Sequence, residues 1–304
     1  MNPTIAKLVG VALFALPAML AAQETTVADP SSTAVAVETA AVDPASDGEA
    51  TKEPEERLQK VDSKEGETMT SVVDILPKGF VVGAIGITSP DRFSENEDNF
   101  FATPGFLYLG DRFFFLGNRA SYALVRGKHL TFNVNARYQA SVLDNDDEPE
   151  FYSLDSRVGQ LEAGFGLNAL TPFGLFTTRI NGDVSNKSNG YLADATWFLP
   201  YYRNGLLIMP SVGITWYDSN YSNYYFGGVS AEESNPLIPA FDTGSTTSLN
   251  GSLILAYRFN SHWLASGGAI YSRLGSEVED SPILLSRSET NLFLALAYIW
   301  DDGK

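Results

Sequence analysis

The stretch that decides the fold is residues 129–142, HLTFNVNARYQASV, in which polar and apolar side chains alternate without interruption. In an extended chain, one face of this stretch is polar and the other is apolar. Alternation with a period of two predicts a β-strand. The stretch is longer than the roughly five or six residues usual for soluble strands. It suits a strand that crosses a bilayer, which takes about 9 to 11 residues.

Segments of the same kind recur along the chain. Residues 156–170 and 248–259 alternate in the same way, and residues 291–300 end the series with leucines and aromatic residues on one face. A soluble β-sandwich also alternates, but its strands are shorter and its apolar face turns inward. The sequence therefore predicts an all-β chain, a transmembrane antiparallel β-barrel with apolar side chains toward lipid and polar side chains toward the lumen.

The polar faces of these segments supply the candidate lumen-lining residues. They are Asn133, Asn135, Arg137, Gln139, Gln160, Glu162, Arg179 and Arg258. Their charged members form either a water-filled selectivity zone or ion pairs that plug the lumen. A barrel of ten or twelve strands has a narrow interior, so we expect pairing.

Breaks in the alternation set the loops and the strand count. Tight turns are predicted at residues 126–128, 171–174, 200–205 and 260–262. External loops are predicted at residues 89–99, 143–155 and 274–288, with a short one at 185–188 and a long one at 218–244. In outer-membrane barrels the short turns face the periplasm and the long loops face outside. This pattern gives ten strands, or twelve if residues 100–125 hold an extra hairpin.

The first 78 residues differ from the rest of the chain. Residues 1–22 join Lys7 to a short apolar run and small residues, a pattern typical of a cleaved signal peptide. The run is shorter than the roughly 20 residues of the alternative, a membrane anchor. Residues 23–78 form an acidic segment whose composition predicts disorder in the periplasm, as a spacer or as a docking arm. The barrel is expected over residues 79–304.

Charge and composition exclude several functions. The net charge of −17 disfavours nucleic-acid binding, which needs clustered Lys and Arg. The absence of cysteine excludes thiolate metal sites and a cysteine nucleophile. The two histidines, His129 and His262, fall at predicted turns, and no Gly-x-Ser-x-Gly elbow occurs, so we expect no enzyme and no cofactor. The acidic loop 144–150 begins like a calcium site, but Pro149 stands where an EF-hand requires glycine, so we expect a solvated loop and no metal.

Two loop motifs stand out in the C-terminal half. They are Tyr225-Phe226-Gly227 and Asp280-Ser281-Pro282, and weaker marks lie at residues 112–115 and Tyr138. With these motifs the region from Gly79 onward resembles the MipA/OmpV family of outer-membrane proteins, the MltA-interacting protein family. The resemblance implies an outer-membrane location and, from the family's namesake, interaction with periplasmic murein hydrolase or synthase enzymes. It carries over no established binding residue, so the six motif residues are candidates either for loop structure or for binding.

Three functional hypotheses follow. The leading one is a non-enzymatic outer-membrane barrel, surrounded by outer-membrane lipids, that acts as a scaffold or binding protein linked to peptidoglycan-processing enzymes. The second is a small-solute channel, suggested by the polar face of residues 131–141. The third is a lipid-modifying barrel enzyme that would depend on His129.

Overall fold

A computed structural model of the chain describes residues 79–89, 99–140, 143 and 153–300. The predicted signal peptide, the acidic segment 23–78 and the acidic loop 144–150 lie outside these residues. In the part that is described, no helix combines the length and the apolar composition needed to span a membrane.

The described residues form one sheet of thirteen antiparallel strands. The strands are β1 Gly79–Ser89, β2 Asn99–Leu109, β3 Phe113–Leu116, β4 Arg119–Arg126, β5 Leu130–Gln139, β6 Gln160–Thr171, β7 Gly174–Asp183, β8 Tyr191–Phe198, β9 Tyr201–Arg203, β10 Leu206–Tyr217, β11 Thr246–Arg258, β12 Trp263–Leu274 and β13 Ser288–Trp300. The helix α1, Ser219–Tyr225, and a short 3-10 turn, Ser276–Val278, lie in the loops.

The sheet closes on itself and has twelve wall strands. β1 pairs with β13, from Phe80 opposite Trp300 to Thr88 opposite Leu292. β8 and β9 pair with β10 in one continuous register, so together they make one wall strand. The predicted transmembrane barrel is confirmed. Of the two strand counts, twelve is correct and ten is wrong, because β3 and β4 form the extra hairpin.

One predicted turn is shorter in the structure than the sequence suggested. The turn expected over residues 200–205 is made by Asn204 and Gly205 alone, whose φ angles are 50° and 82°. Pro200 lies inside the wall strand, between β8 and β9. Because proline has no backbone N–H, it interrupts the ladder there, and the strand resumes at Tyr201.

The outer face of the barrel is apolar, as the alternation predicts. Phe132 and Phe165 on neighbouring strands point outward, 40% and 57% exposed, and their rings stack with centroids 5.8 Å apart. Aromatic side chains gather at both rims, as they do where barrels meet the membrane interfaces. Among the exposed ones are Tyr138, Tyr191, Trp216 and Tyr271 at one rim and Phe80, Tyr257, Phe259, Trp263 and Trp300 at the other.

The lumen divides into two halves of different polarity. A cluster of buried apolar side chains, named the periplasmic core, fills much of the periplasmic half and comes from β1–β3, β7, β8 and β10–β13. They are Val81, Ile85, Ile87, Leu107, Leu109, Phe114, Leu116, Leu175, Phe198, Leu207, Met209, Ile254, Ala256, Leu264, Phe293 and Ile299. The polar interior expected from residues 129–142 dominates the extracellular half, and on β5, β6 and β7 it continues toward the periplasm, where Thr131, Asn168 and Thr177 are buried.

Candidate functional site

The candidate site is the polar extracellular half of the lumen, where β5 to β8 carry inward-facing polar side chains. Glycines on β6 make the room for them. A Cβ on Gly166 would lie 2.7 Å from Oδ1 of Asn133 and 3.0 Å from Cγ of Arg179. Since these distances are too short for a real Cβ, a larger residue at position 166 would displace the polar side chains of both neighbouring strands.

A bidentate ion pair joins β5 to β6 inside the lumen. Arg137 donates from Nε to Oε2 of Glu162 at 2.9 Å and from Nη2 to Oε1 at 2.9 Å. The side chains are only 11% and 1% exposed. Gln160 donates a further hydrogen bond of 3.2 Å to Oε1 of Glu162. A buried carboxylate is costly unless it is fully paired, and these donors supply that pairing.

A second pair joins β7 to β8. Arg179 donates from Nε to both carboxylate oxygens of Asp194, at 3.0 and 3.1 Å, and from Nη2 to Oδ1 at 2.8 Å. The two side chains are 12% and 10% exposed. Together the two ion pairs neutralise most of the charge that faces the lumen on β5 to β8. This side of the lumen therefore carries little net charge.

The helix α1 covers the extracellular mouth of the lumen. Asp218 caps the helix by accepting hydrogen bonds from the backbone N–H of Tyr221 at 2.9 Å and of Tyr191 at 3.0 Å. Tyr221 is 3% exposed and donates from its hydroxyl to Oε1 of Glu162 at 3.2 Å. Nη2 of Arg137 lies 3.3 Å from the same hydroxyl. Helix α1, the lid of the lumen, is thus hydrogen-bonded directly to the Arg137–Glu162 ion pair below it.

The environment of Tyr221 keeps its hydroxyl protonated. Burial, followed by the nearby charge of Glu162, raises the pKa of Tyr221 well above its ordinary value of 10.0. A protonated hydroxyl is needed for Tyr221 to donate to Glu162. The contact between the lid and the lumen therefore persists at every pH near neutrality.

A cavity of about 220 Å³ remains beneath the lid. Tyr221, Tyr225 and Phe226 form part of its roof, and Arg137 and Asp194 are among the groups that line it. Aromatic rings above and paired charges below suit a small polar molecule that also offers a flat apolar face.

The extracellular loops fold into a small core of their own, named the loop cluster. Its buried members are Leu143, Leu154, Val229, Ile238, Leu274, Val278, Ile283 and Leu284. An ion pair ties two of the loops together, with Nη2 of Arg157 lying 2.7 Å from Oε1 of Glu233. Burial alone would raise the pKa of Glu233, but backbone N–H groups of Ser230 and Asp155 and the charge of Arg157 together lower it below its ordinary value.

The two loop motifs, Tyr225-Phe226-Gly227 and Asp280-Ser281-Pro282, meet beside the loop cluster. Gly227 has a φ of 102°, and a Cβ there would overlap the hydroxyl of Ser281. Oγ of Ser281 donates to the carbonyl oxygen of Gly227 at 2.7 Å. Tyr225 is buried and Phe226 lies edge-on to the Tyr217 ring, 4.8 Å away. The remaining motif residues, exposed Asp280 and partly buried Pro282, flank Ser281.

The predicted lumen residues do not all lie together. Asn133, Asn135, Gln160 and Glu162 are buried, Gln139 lines the cavity, and Arg137 and Arg179 take part in the two ion pairs. Arg258 lies at the periplasmic end of β11 instead. Its guanidinium donates to the turn carbonyls of Asn260 at 3.0 Å and Ser261 at 2.9 Å. It therefore stabilises a turn and does not contribute to the polar site.

Two functional groups escaped the sequence reasoning. Tyr221 sits in a long loop where no strand alternation applies, although Asp218 three residues before it is a helix N-cap signal. Asp194 lies on the inward phase of β8, between buried Leu192 and Phe198, and the alternation of that short strand could have indicated it.

Comparison with known proteins agrees with this architecture. The family model described as MltA-interacting protein MipA matches residues 82–300. The chain belongs to this family. Among its relatives, the MltA-interacting protein of Escherichia coli (strain K12) is 27% identical over 216 residues, which cover 70% of this chain and 86% of that protein. Outer membrane protein OmpV of Vibrio cholerae is 27% identical over 226 residues, covering 71% and 84%.

Solved barrels are similar at lower levels. The translocator domain of autotransporter NalP from Neisseria meningitidis is 12% identical, with a TM-score of 0.40 over 81% of this chain and 98% of that one. The NanC porin is 10% identical, with a TM-score of 0.39 over 72% and 100%. Members of the family are named outer membrane proteins. With its barrel fold, this chain is a protein of the cell outer membrane.

Proposed function

We propose that this chain is a non-conducting, non-enzymatic outer-membrane scaffold that binds periplasmic murein hydrolase or synthase enzymes. The observation that carries the proposal is the filled lumen. The periplasmic core packs apolar side chains across one half of the barrel, and α1 with the loop cluster covers the other end. A barrel built in this way offers surfaces for binding in place of a path for solutes.

The name of a relative points to the kind of partner. The Escherichia coli protein that matches most of this barrel is named for its interaction with MltA. A partner in the periplasm would meet the short turns and the segment that precedes β1. The turns display exposed Arg112, Lys128 and Arg203, whereas residues 23–78 are acidic. Asp111 is exposed beside Arg112, but the cations outnumber it on the described periplasmic turns, which therefore form a basic surface suited to an acidic patch on a partner.

A pull-down tests the scaffold. Full-length mature protein in detergent micelles serves as bait for purified murein hydrolases and synthases, beside a variant that lacks residues 23–70. We expect at least one enzyme to bind the full-length bait at low salt and to be released as salt rises. If the full-length bait binds an enzyme and the variant without residues 23–70 does not, the contact belongs to the acidic segment. Failure of every enzyme to bind would remove the scaffold proposal and leave the fold unaffected.

The second candidate, a small-solute channel, has one observation in its favour, the polar cavity under α1. The periplasmic core prevents this cavity from continuing toward the periplasm. Leu175, Met209 and Ile254, from three different strands, are each at most 1% exposed and fill the space beneath. We therefore interpret the cavity as a closed chamber.

A further inference from the structure

In the part of the chain that the structure describes, the barrel wall is interrupted on one side. β3 has only four residues and pairs with the last three of β2, Leu107–Leu109. The β3–β4 hairpin ends at Gly117 and Asn118, and Asn118 bonds to Tyr138 near the top of β5. Among the residues that the structure describes, positions 99–105 of β2 pair with β1 alone. Above the hairpin tip, β2 and β5 are therefore not bridged, although three strand spacings, about 14 Å, separate them.

The interruption reaches the extracellular rim, so its upper part faces the outer leaflet of the membrane. It extends from Phe106, three residues from the periplasmic end of β2, up to Phe100 at the extracellular rim, and both side chains point outward with 54% and 71% exposure. The open edge, NFFATPG at residues 99–105, contains no charged residue. Pro104 on this edge lacks a backbone N–H, which suits a strand without a partner on one side.

An apolar cavity of about 100 Å³ lies behind the lower end of the opening, among side chains of the periplasmic core. Gly83 and Gly105 face each other across β1 and β2, and neither contributes a side chain to the lumen. The cavity reaches Leu116, the last residue of β3 beneath the hairpin tip, and its far wall includes Ile254 and Phe293. An apolar cavity of this size stays free of water and binds hydrocarbon groups.

We propose that the interruption is a lateral entrance through which the acyl chain of an outer-leaflet lipid enters this cavity. The opening lies in hydrocarbon, its edge is uncharged, and the space behind it is lined by apolar side chains. Burial of a methylene chain there is favoured for the same reason that the surrounding core is stable.

Other occupants fit the opening less well. The segments that precede β2 and follow β5 in the sequence, residues 90–98 and 144–152, carry nine carboxylates between them and would be costly to bury in hydrocarbon. A second copy of the chain could add a strand to the β2 edge, but Pro104 removes a hydrogen-bond donor from that ladder. A lipid chain meets neither obstacle.

Site-specific fluorescence in bilayers tests the entrance. The chain has no cysteine, so Gly105→Cys can carry a single bimane probe. A Cβ at position 105 would meet nothing closer than Ile85, at 3.9 Å, so the substitution should be accommodated. The vesicles contain phosphatidylcholine brominated on its acyl chains. The neighbouring β11 positions Leu253→Cys, which faces lipid, and Ser252→Cys, which faces the lumen behind a complete wall, calibrate the quenching.

We expect the probe at position 105 to be quenched by brominated lipid nearly as strongly as the probe at 253, while the probe at 252 is spared. Equal protection of positions 105 and 252 would overturn the proposal, as would quenching of 105 by aqueous iodide alone. If Gly105→Cys does not fold, Thr103→Cys on the same inward face replaces it. A disulfide-linked dimer formed through Ala102→Cys would also overturn it, since a second copy would then cover the edge.

Discussion

The hydroxyl of Ser281 donates a 2.7 Å hydrogen bond to the carbonyl oxygen of Gly227, a residue 54 positions earlier in the chain. This bond joins two extracellular loops at the point where both motifs of the family resemblance occur. The φ angle of Gly227 is 102°, and Ser281 can approach this closely because glycine has no side chain. The relationship favours a structural role for these motifs, as a fastening that holds the loop cap over the lumen.

Substitution of Gly227 should therefore loosen the cap. In Gly227→Ala the new Cβ meets Ser281 and the backbone is strained, so we expect the loops to lose about 2 to 4 kcal/mol of local stability. Hydrogen exchange of residues 226–244 in micelles measures this. Gly244→Ala is the control, because its φ is 58° but nothing lies within 4 Å of a Cβ there. It should cost only about 1 kcal/mol, and an equal effect of the two substitutions would contradict the account.

Loss of one partner of the buried ion pair should be far more harmful than loss of both. Arg137→Met leaves Glu162 buried and without its main partner, which should cost roughly 3 to 5 kcal/mol in the free energy of unfolding. The double variant Arg137→Met/Glu162→Leu should recover most of this loss. Urea unfolding in phospholipid vesicles compares them. Arg287→Met, whose partner Glu279 is 58% exposed, should cost less than about 1 kcal/mol.

The loop cap should weaken in acid. The pKa of Glu233 is lower in the folded protein than its ordinary value of 4.5, so its contribution to stability is fully present above that value. It is lost as the pH falls below 4.5 and through the folded pKa. Limited proteolysis of the loops should therefore accelerate between about pH 5 and pH 3. Glu233→Gln should be cleaved faster at neutral pH and change less with acid, and an unchanged pH profile in that variant would refute the assignment.

Charge reversal at the periplasmic rim should weaken binding of a murein enzyme. Arg203→Glu combined with Lys128→Glu replaces two exposed cations on the rim and should lower the affinity roughly tenfold at low salt. The matched control is Lys187→Glu, an exposed cation in an extracellular loop. Surface plasmon resonance with a binding enzyme compares the variants. Equal weakening by the control would mean that net charge, not the periplasmic rim, governs the interaction.

The sequence predicted the parts of this fold that depend on alternation. Residues 129–142 indicated both the strand and the inward direction of Arg137, because side chains in a strand change face at every residue. The same rule carried over to Glu162 on β6. The partner of Arg179 was missed, since β8 has only eight residues and Asp194 is its one charged group.

Features that depend on contacts across the barrel could not be predicted. β1 is apolar on both faces, so its alternation does not reveal that Val81, Ile85 and Ile87 belong to a core. The docking of Tyr221 on Glu162 joins residues 59 positions apart and has no local signal. The short β3 was visible only as a possible hairpin, and the opening above it follows from the pairing of β2, which the sequence of β3 does not encode.

The most direct test of the closed barrel is the conductance of the purified protein in planar bilayers, with a general porin inserted under the same conditions as the control. We predict no steady current above the bilayer background, because the periplasmic core and helix α1 leave no continuous aqueous path between the residues that the structure describes. Stable ohmic steps from correctly folded protein would contradict the account and restore the channel hypothesis.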